Sequence, residues 1–322
     1  LAFFLSIALF LAGVHTGLFN GGVIYDNSGN LLSSINMFAL LFCGFLYLKG
    51  IYFPSSTDCG TTGNILFDYY WGTELYPRIF GWDVKQFTNC RFGMVFWPVS
   101  TISYAFAQYE RYGYVSDSMM VNMSLQLIYC YKFFLWETGY LASMDIQHDR
   151  AGYYICWGCL AFLPTIYTSH TFYLTEHPVD LGTPLALAIF IAGAVCIYIN
   201  YAVTANAMTL ERPKEDKVWG SDAKYIEAEY QTEKGPRESL LLYNGYWGIA
   251  RHFHYLPEIL ASFFWSVPAL FSHFMPYFYV LYLILLLTDR AVRDDARCKS
   301  KYGASWDKYC KYVPYKIIPG II

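Results

Sequence analysis

Apolar runs long enough to cross a bilayer alternate with short polar stretches along this chain. Residues 1–19 and 31–53 each approach the roughly 20 residues that a spanning helix needs. Residues 92–109 and 119–136 are two more apolar segments. Residues 153–174 form another, and Pro164 within it predicts a kink and a freed carbonyl. Residues 184–203 are a clean span with Pro184 at the first helical position. Farther on, 256–272 and 274–288 are apolar but short, which suits a tight helical hairpin or re-entrant packing. That makes about seven to nine membrane segments, with no internal repeat.

Two polar stretches interrupt the pattern. The loop from Pro54 to about Arg91 is rich in Tyr and Trp, which collect at the headgroup level. Residues 206–239 are the one sustained polar stretch, and Tyr225–Tyr230 alternates in the way of a short hairpin. The pattern predicts an all-α, polytopic membrane protein in three parts. These are N-terminal membrane helices at 1–203, a polar loop at 204–239, and a C-terminal membrane and polar part at 240–322.

Composition supports the bilayer. Of 322 residues, 56% are hydrophobic, 20% aromatic and only 15% charged, against about 25% charged in soluble domains. The net charge of −3 gives no reason to expect nucleic acid. From Asp289 onward the basic residues Arg290, Arg293, Arg297, Lys299, Lys301, Lys308, Lys311 and Lys316 outnumber the acids, so that end is expected to face the cytoplasm. The chain begins inside an apolar run, which suggests a piece of a longer protein. Residues 1–19 lack the basic flank and small-residue site of a secretory signal. Cys156 and Cys159 have C-x-x-C spacing but no second pair, so they are expected to pack as small hydrophobes. The sequon Asn122-Met123-Ser124 lies in an apolar run and is read as a chance match.

Candidate chemistry gathers in two polar blocks. Arg290, Asp294, Cys298 and Tyr302 are each four residues apart and share one helical stripe, with Lys301 and Tyr309 extending the face. Arg290 suits a phosphate in fork geometry. Trp247, Arg251 and Tyr255 are also four apart, and His252 and His254 add donors. Trp and Tyr can stack on a flat heterocycle. The plainer readings are a solvated amphipathic helix and an interfacial aromatic anchor. The two His, at i and i+2, have no metal-ligand spacing. Upstream, Glu137, Asp145, His148 and Asp149 fall in or at the end of a membrane segment, where ionisable groups are costly and face cavities. No G-x-G-x-x-G or P-loop occurs.

The segment GYWGIARHFHYLPEIL, then PYFYVLYLILLLTDRAVRDDARCKSKYG and YVPYKIIPGI, resembles the sterol reductase family of membrane enzymes. The resemblance continues upstream through DYYWGTELYPRI, FTNCRFGM, ETGY, MDIQHDRAGYYICWGC and HPVDLGT. His254 and Pro257-Glu258 match the branch that reduces the Δ7 bond, where Δ14-reducing relatives carry Asn and Gly-Asp. The resemblance implies a ten-helix membrane fold, NADPH bound by the C-terminal half, and a lipid-accessible pocket for a sterol drawn from the bilayer. It implies an endoplasmic reticulum membrane in a eukaryote, with membrane lipids and other sterol-pathway enzymes as neighbours. Cofactor positions carry over to Leu242, Trp247, His254, Tyr255, Asp294, the run Cys298-Lys299-Ser300-Lys301-Tyr302, and Tyr309, with Arg251 and Arg290 in the same motifs. The family's two basic residues after the span ending near Val203 are altered here, and Arg212 is the nearest basic candidate.

Reducing an unactivated sterol double bond needs a proton and a hydride. An acid kept neutral in an apolar site can supply the proton. Glu137 is the first candidate, with Asp294, Tyr140 and Tyr302 behind it. The alternatives are a Δ14- or side-chain reductase, a non-catalytic sterol-binding scaffold, and an isoprenylcysteine-type methyltransferase, whose Arg-His-Pro block is similar but has Pro where Phe253 stands.

Overall fold

The structure is a computed structural model that describes residues 1–141, 143–208, 217–232 and 235–321. Arg212 therefore lies outside the described residues. The chain forms two compact units. The first comprises Leu1–Phe190 and Trp265–Tyr279, and the second Ile191–Phe264 and Val280–Ile322. The segment Trp265–Tyr279 thus packs with the N-terminal helices.

The first unit is helical. Its helices include α1 (Ala2–His15), α2 (Ser28–Tyr52), α3 (Met94–Tyr112) and α4 (Asp117–Leu135). Helix α2 is 25 residues of nearly unbroken apolar sequence. Phe38, Leu41, Phe45 and Leu48 along it are exposed, the surface a bilayer would solvate. Gly113 ends α3 in the left-handed conformation, at φ 77°, where a Cβ would be strained. Ser116 caps α4 by accepting from the Met119 N–H. The predicted kink at Pro164 is a longer interruption. Residues Tyr153–Trp157 are α-helical, Gly158–Phe162 form a π-turn, and Leu163–Ile166 and Ser169–Glu176 follow as separate short helices. Thr168 Oγ1 donates to the Pro164 carbonyl at 2.6 Å, a local partner for a backbone group in the broken segment.

Polar side chains inside this unit are cross-linked. Trp97 Nε1 donates to Gln126 Oε1 at 2.7 Å, and Gln126 Nε2 donates to Asn122 Oδ1 at 2.7 Å and Thr171 Oγ1 at 2.8 Å. Asn122 is fully buried, so its sequon is indeed a chance match. Lys85 is also fully buried and donates to the carbonyls of Asp145, Ile146 and Asp149 at 3.2, 2.6 and 2.9 Å. One lysine so fixes the turn that carries Asp145, His148 and Asp149.

Helix α5 (Thr183–Met208) leads into the second unit, whose described residues include a hairpin, further helices and a tail. Strands β1 (Tyr225–Thr232) and β2 (Gly235–Leu242) pair antiparallel, with Tyr225 opposite Leu242 and Glu229 opposite Glu238. The alternation read at 225–230 is the first of these strands. Ile226 and Ala228 face inward. Ile226 packs with Cys298, Trp306, Tyr309 and Val313. Helix α6 (Tyr255–Ser266) follows, then α7 (Phe278–Tyr302). The apolar run at 274–288 and the polar block after it thus belong largely to one helix, since nothing between Phe278 and Tyr302 breaks it. Gly303, at φ 53°, turns the chain into α8 (Ala304–Tyr312).

Among the described residues, three helices are by themselves long and apolar enough to cross a membrane: Ser28–Tyr52, Thr183–Thr204 and Met275–Tyr302. The apolar helix Ala2–His15 is shorter.

Candidate functional site

The stripe predicted from spacing exists on α7. Arg290, Asp294, Cys298 and Tyr302 lie along one uninterrupted helix, about 18 Å from first to last at 1.5 Å per residue. Asp294 is its electrostatic centre. Oδ1 accepts from Arg297 Nη2 at 2.6 Å and Nε at 3.1 Å. Oδ2 receives the Cys298 thiol at 3.7 Å and lies 3.7 Å from His252 Nε2.

Helix α7 meets the loop 250–254 through two consecutive pairs. Arg251 faces Asp295, with Nε 3.3 Å from Oδ1, and His252 faces Asp294. The His252 ring stacks on Tyr255 at 5.1 Å and 8°. His254 leans on Tyr255 at 4.3 Å and on Trp247 at 5.4 Å. Asn200 on α5 donates to the His254 carbonyl at 3.0 Å and fixes the loop from the other side. Tyr309 Oη donates to the Trp247 carbonyl at 3.5 Å. Burial pushes the Tyr309 phenol well above its ordinary range, so it stays a donor. The result is a run of ring faces beside a carboxylate.

Buried polar atoms here that lack hydrogen-bond partners include Trp247 Nε1 and His252 Nε2. Buried donors are normally satisfied. An unsatisfied indole N–H among ring faces fits a flat, polar ligand, so the residues present suit a dinucleotide.

Other predicted residues divide by their partners. Leu242 is buried at the end of β2. Tyr302 Oη donates to Ser239 Oγ at 3.4 Å, and Lys301 Nζ sits 4.0 Å from the Tyr230 ring centre and 4.8 Å from that of Tyr302. Lys299 pairs with Asp307, and Ser300 is exposed. Arg290 is half-buried on the same helix.

Arg251 is not placed to take a phosphate. Its Nη1 donates to the carbonyls of Val313 at 2.7 Å and Pro314 at 3.0 Å, its Nε faces Asp295, and its side chain is 5% exposed. The Arg251 N–H also donates to the Tyr315 carbonyl, and the His252 N–H to that of Lys316. Lys316 Nζ closes the set 3.4 Å from Asp295 Oδ2. This arginine straps the C-terminal tail to the site loop.

Glu137 and Tyr140 belong to the first unit, on the one-turn helix Glu137–Tyr140. Glu137 is not an isolated buried acid: Arg91 Nη2 lies 2.8 Å from Oε1, and the carboxylate is 25% exposed. The guanidinium makes it an ion-pair acceptor. The Tyr140 ring packs on Phe133 at 5.4 Å. The same unit holds an apolar cavity of about 390 Å³ lined by residues that include Ile24, Leu32, Phe96, Tyr104, Phe172 and Phe278. The Thr165 and Ser169 hydroxyls in its wall donate to the carbonyls of Ala161 and Ile166, so the wall presents mainly hydrocarbon.

Taken together, these features define a polytopic helical membrane protein with an aromatic and ionic site where a membrane helix meets a loop. The chain belongs to the ergosterol biosynthesis ERG4/ERG24 family, whose profile matches residues 1–322. It is 53% identical over 323 residues to the 7-dehydrocholesterol reductase of Arabidopsis thaliana, covering 99% of this chain and 75% of that protein. It is 38% identical to the 7-dehydrocholesterol reductase of Xenopus laevis, covering 97% of this chain and 67% of that protein. The Delta(14)-sterol reductase of Methylotuvimicrobium alcaliphilum is 37% identical, covering 99% and 73%.

Proposed function

We propose that this chain is a sterol Δ7-reductase, which reduces the C7–C8 double bond of 7-dehydrocholesterol-type Δ5,7-sterols in sterol biosynthesis. The observation that carries this reading is the 53% identity to a 7-dehydrocholesterol reductase along almost the whole chain, against 37% for a Δ14-reducing relative. NADPH, when bound, supplies the hydride. Trp247, His254 and Tyr255 offer ring faces for its flat groups, and Arg290, Lys299 and Lys301 supply positive charge toward its phosphates. Arg212 is a further basic candidate. The sterol reaches the enzyme from the bilayer, which in a eukaryote is that of the endoplasmic reticulum. The hydrocarbon-walled cavity of the first unit supports a lipid substrate.

Asp294 is the acid the geometry favours. Asp294 and Glu137 each pair with an arginine through one oxygen, and Asp294 differs in that its Oδ2 also faces the buried His252 ring beside the aromatic run. The Tyr302 hydroxyl is turned to the hairpin. Membranes containing the chain, incubated with 7-dehydrocholesterol and NADPH, are expected to yield a product two mass units heavier in which C7–C8 is a single bond. Reduction of a Δ8,14-sterol in preference to the Δ5,7-diene would assign the chain to the Δ14 branch instead.

A further inference from the structure

The sequence Arg251-His252 docks on the sequence Asp294-Asp295, and the two contacts differ in kind. Arg251 donates through Nη1 to two carbonyls of the tail, and its Nε lies 3.3 Å from Asp295 without a hydrogen bond. His252 is 6% exposed, its ring is fixed by stacking on Tyr255, and its Nε2 faces Asp294 Oδ2 at 3.7 Å with no hydrogen-bond partner. Closing that gap by about 1 Å makes a normal hydrogen bond. Arg297 occupies Oδ1 only. Oδ2 is left between an imidazole and a thiol.

We propose that His252 reloads Asp294 with its proton at Oδ2 between turnovers, so that the pair acts as one acid. The inference rests on the reductase reading above. In the reloading step the N–H bond of the imidazolium breaks and an O–H bond forms at Oδ2. Neutral imidazole and neutral carboxylic acid remain. The acid then gives its proton to one carbon of the double bond, Oδ2 regains its negative charge, and hydride closes the other carbon. Each double bond consumes one proton and one hydride, and water returns the proton to the imidazole.

The environment favours a neutral imidazole. Two opposite charges taken out of water lose more solvation than poor geometry returns, and 3.7 Å is poor geometry. Burial pushes the His252 ring below its ordinary range. The facing charges partly cancel: Asp294 and Asp295 favour the protonated ring, Arg251 and Lys316 oppose it. Arg297, 40% exposed, is partly screened by solvent.

The test is His252→Gln, which keeps an amide donor but does not titrate, with His252→Asn as a second variant should the first fold poorly. Expected is a fall in kcat of about 100-fold, the scale of general-acid catalysis, with a flattened pH profile. NADPH quenching of tryptophan fluorescence should give the wild-type Kd. A cofactor-free readout is the unfolding temperature across roughly pH 5–7. An unfolded chain takes up the proton that the buried ring refuses, so the wild type loses stability as pH falls through this window. The variants should lose part of that slope. Asp294→Asn should be as slow as His252→Gln, and the double variant no slower than either. Wild-type kcat and pH profile in a variant that binds NADPH, or an unchanged stability slope, overturns the relay. A wild-type protein that reduces no sterol overturns the reductase reading instead.

Discussion

Replacing Arg251 with Met separates two roles that look alike in the sequence. A basic residue four positions from Trp247 and from Tyr255 has the spacing of a phosphate ligand. The structure gives it a different task. The guanidinium donates to two carbonyls of the tail, at 2.7 and 3.0 Å, and faces Asp295 at 3.3 Å, all at 5% exposure. Hydrogen bonds from a charged donor contribute about 1.5–3 kcal/mol each. Breaking a buried ion pair by removing one partner costs about 3–5 kcal/mol. The two figures overlap, because the same charge makes both contacts. Lys316 also remains 3.4 Å from Asp295 and softens the loss. The net expectation is about 3–5 kcal/mol, or roughly 10–20 °C in unfolding temperature for a unit of this size.

The assay is thermal unfolding of purified protein in detergent, with and without NADPH, alongside NADPH affinity measured at a temperature where both proteins are folded. Arg251→Met should unfold early while its NADPH Kd changes less than threefold. Arg251→Lys should recover only part of the loss, since one ammonium cannot reproduce the fork. Lys316→Met, which removes a contact 29% exposed, should cost about 1 kcal/mol or less. Arg251 is not a strap if Arg251→Met keeps the wild-type unfolding temperature and weakens NADPH tenfold or more. That pattern belongs to a phosphate ligand.

Three further outcomes follow from the first unit. Glu137→Gln keeps an acceptor for Arg91, so kcat should fall less than tenfold; a loss of 100-fold at unchanged NADPH affinity would restore Glu137 as the acid. Lys85→Met leaves three buried carbonyls without their donor and should cost about 3 kcal/mol or more, seen as faster proteolysis around residues 143–152; wild-type protection there would count against the clamp. Gly72, at φ 103°, packs against the backbone at Ala151–Gly152, and an added Cβ would meet Gly152 N at 2.6 Å. Gly72→Ala should therefore yield little folded protein in a detergent-extraction assay, whereas Gly63→Ala, where a Cβ meets nothing within 4 Å, should be recovered in larger amount.

Local pattern explains what was legible. The stripe from Arg290 to Tyr302 follows from i,i+4 spacing alone once the run is helical, and no Gly or Pro interrupts it. The first hairpin strand shows in the alternation of Tyr225–Tyr230. Its partner, Gly235–Leu242, does not: it carries Pro236 and ends in three leucines, so no period of two is visible. The misplaced roles share a different cause. Phe133–Trp136 make Glu137 look like an acid in an apolar wall, yet its partner Arg91 lies 46 positions upstream. Arg251 reads as a ligand because the carbonyls it holds are 62 and 63 residues away.

Periodicity reports which residues share a face and is blind to what the fold brings against that face. In this chain that missing half decides function. Two cations within reach of the same helix are equivalent in sequence until their donors are counted. Arg251 is committed to the tail and Asp295, and so belongs to the scaffold. His252, one residue on, keeps a buried nitrogen aimed at a carboxylate it does not quite reach. A buried polar atom left unsatisfied costs about 1–3 kcal/mol, and a purely structural histidine would gain by turning it to a backbone carbonyl. That the ring stays stacked on Tyr255 with Nε2 toward Asp294 is why the proton path is placed there.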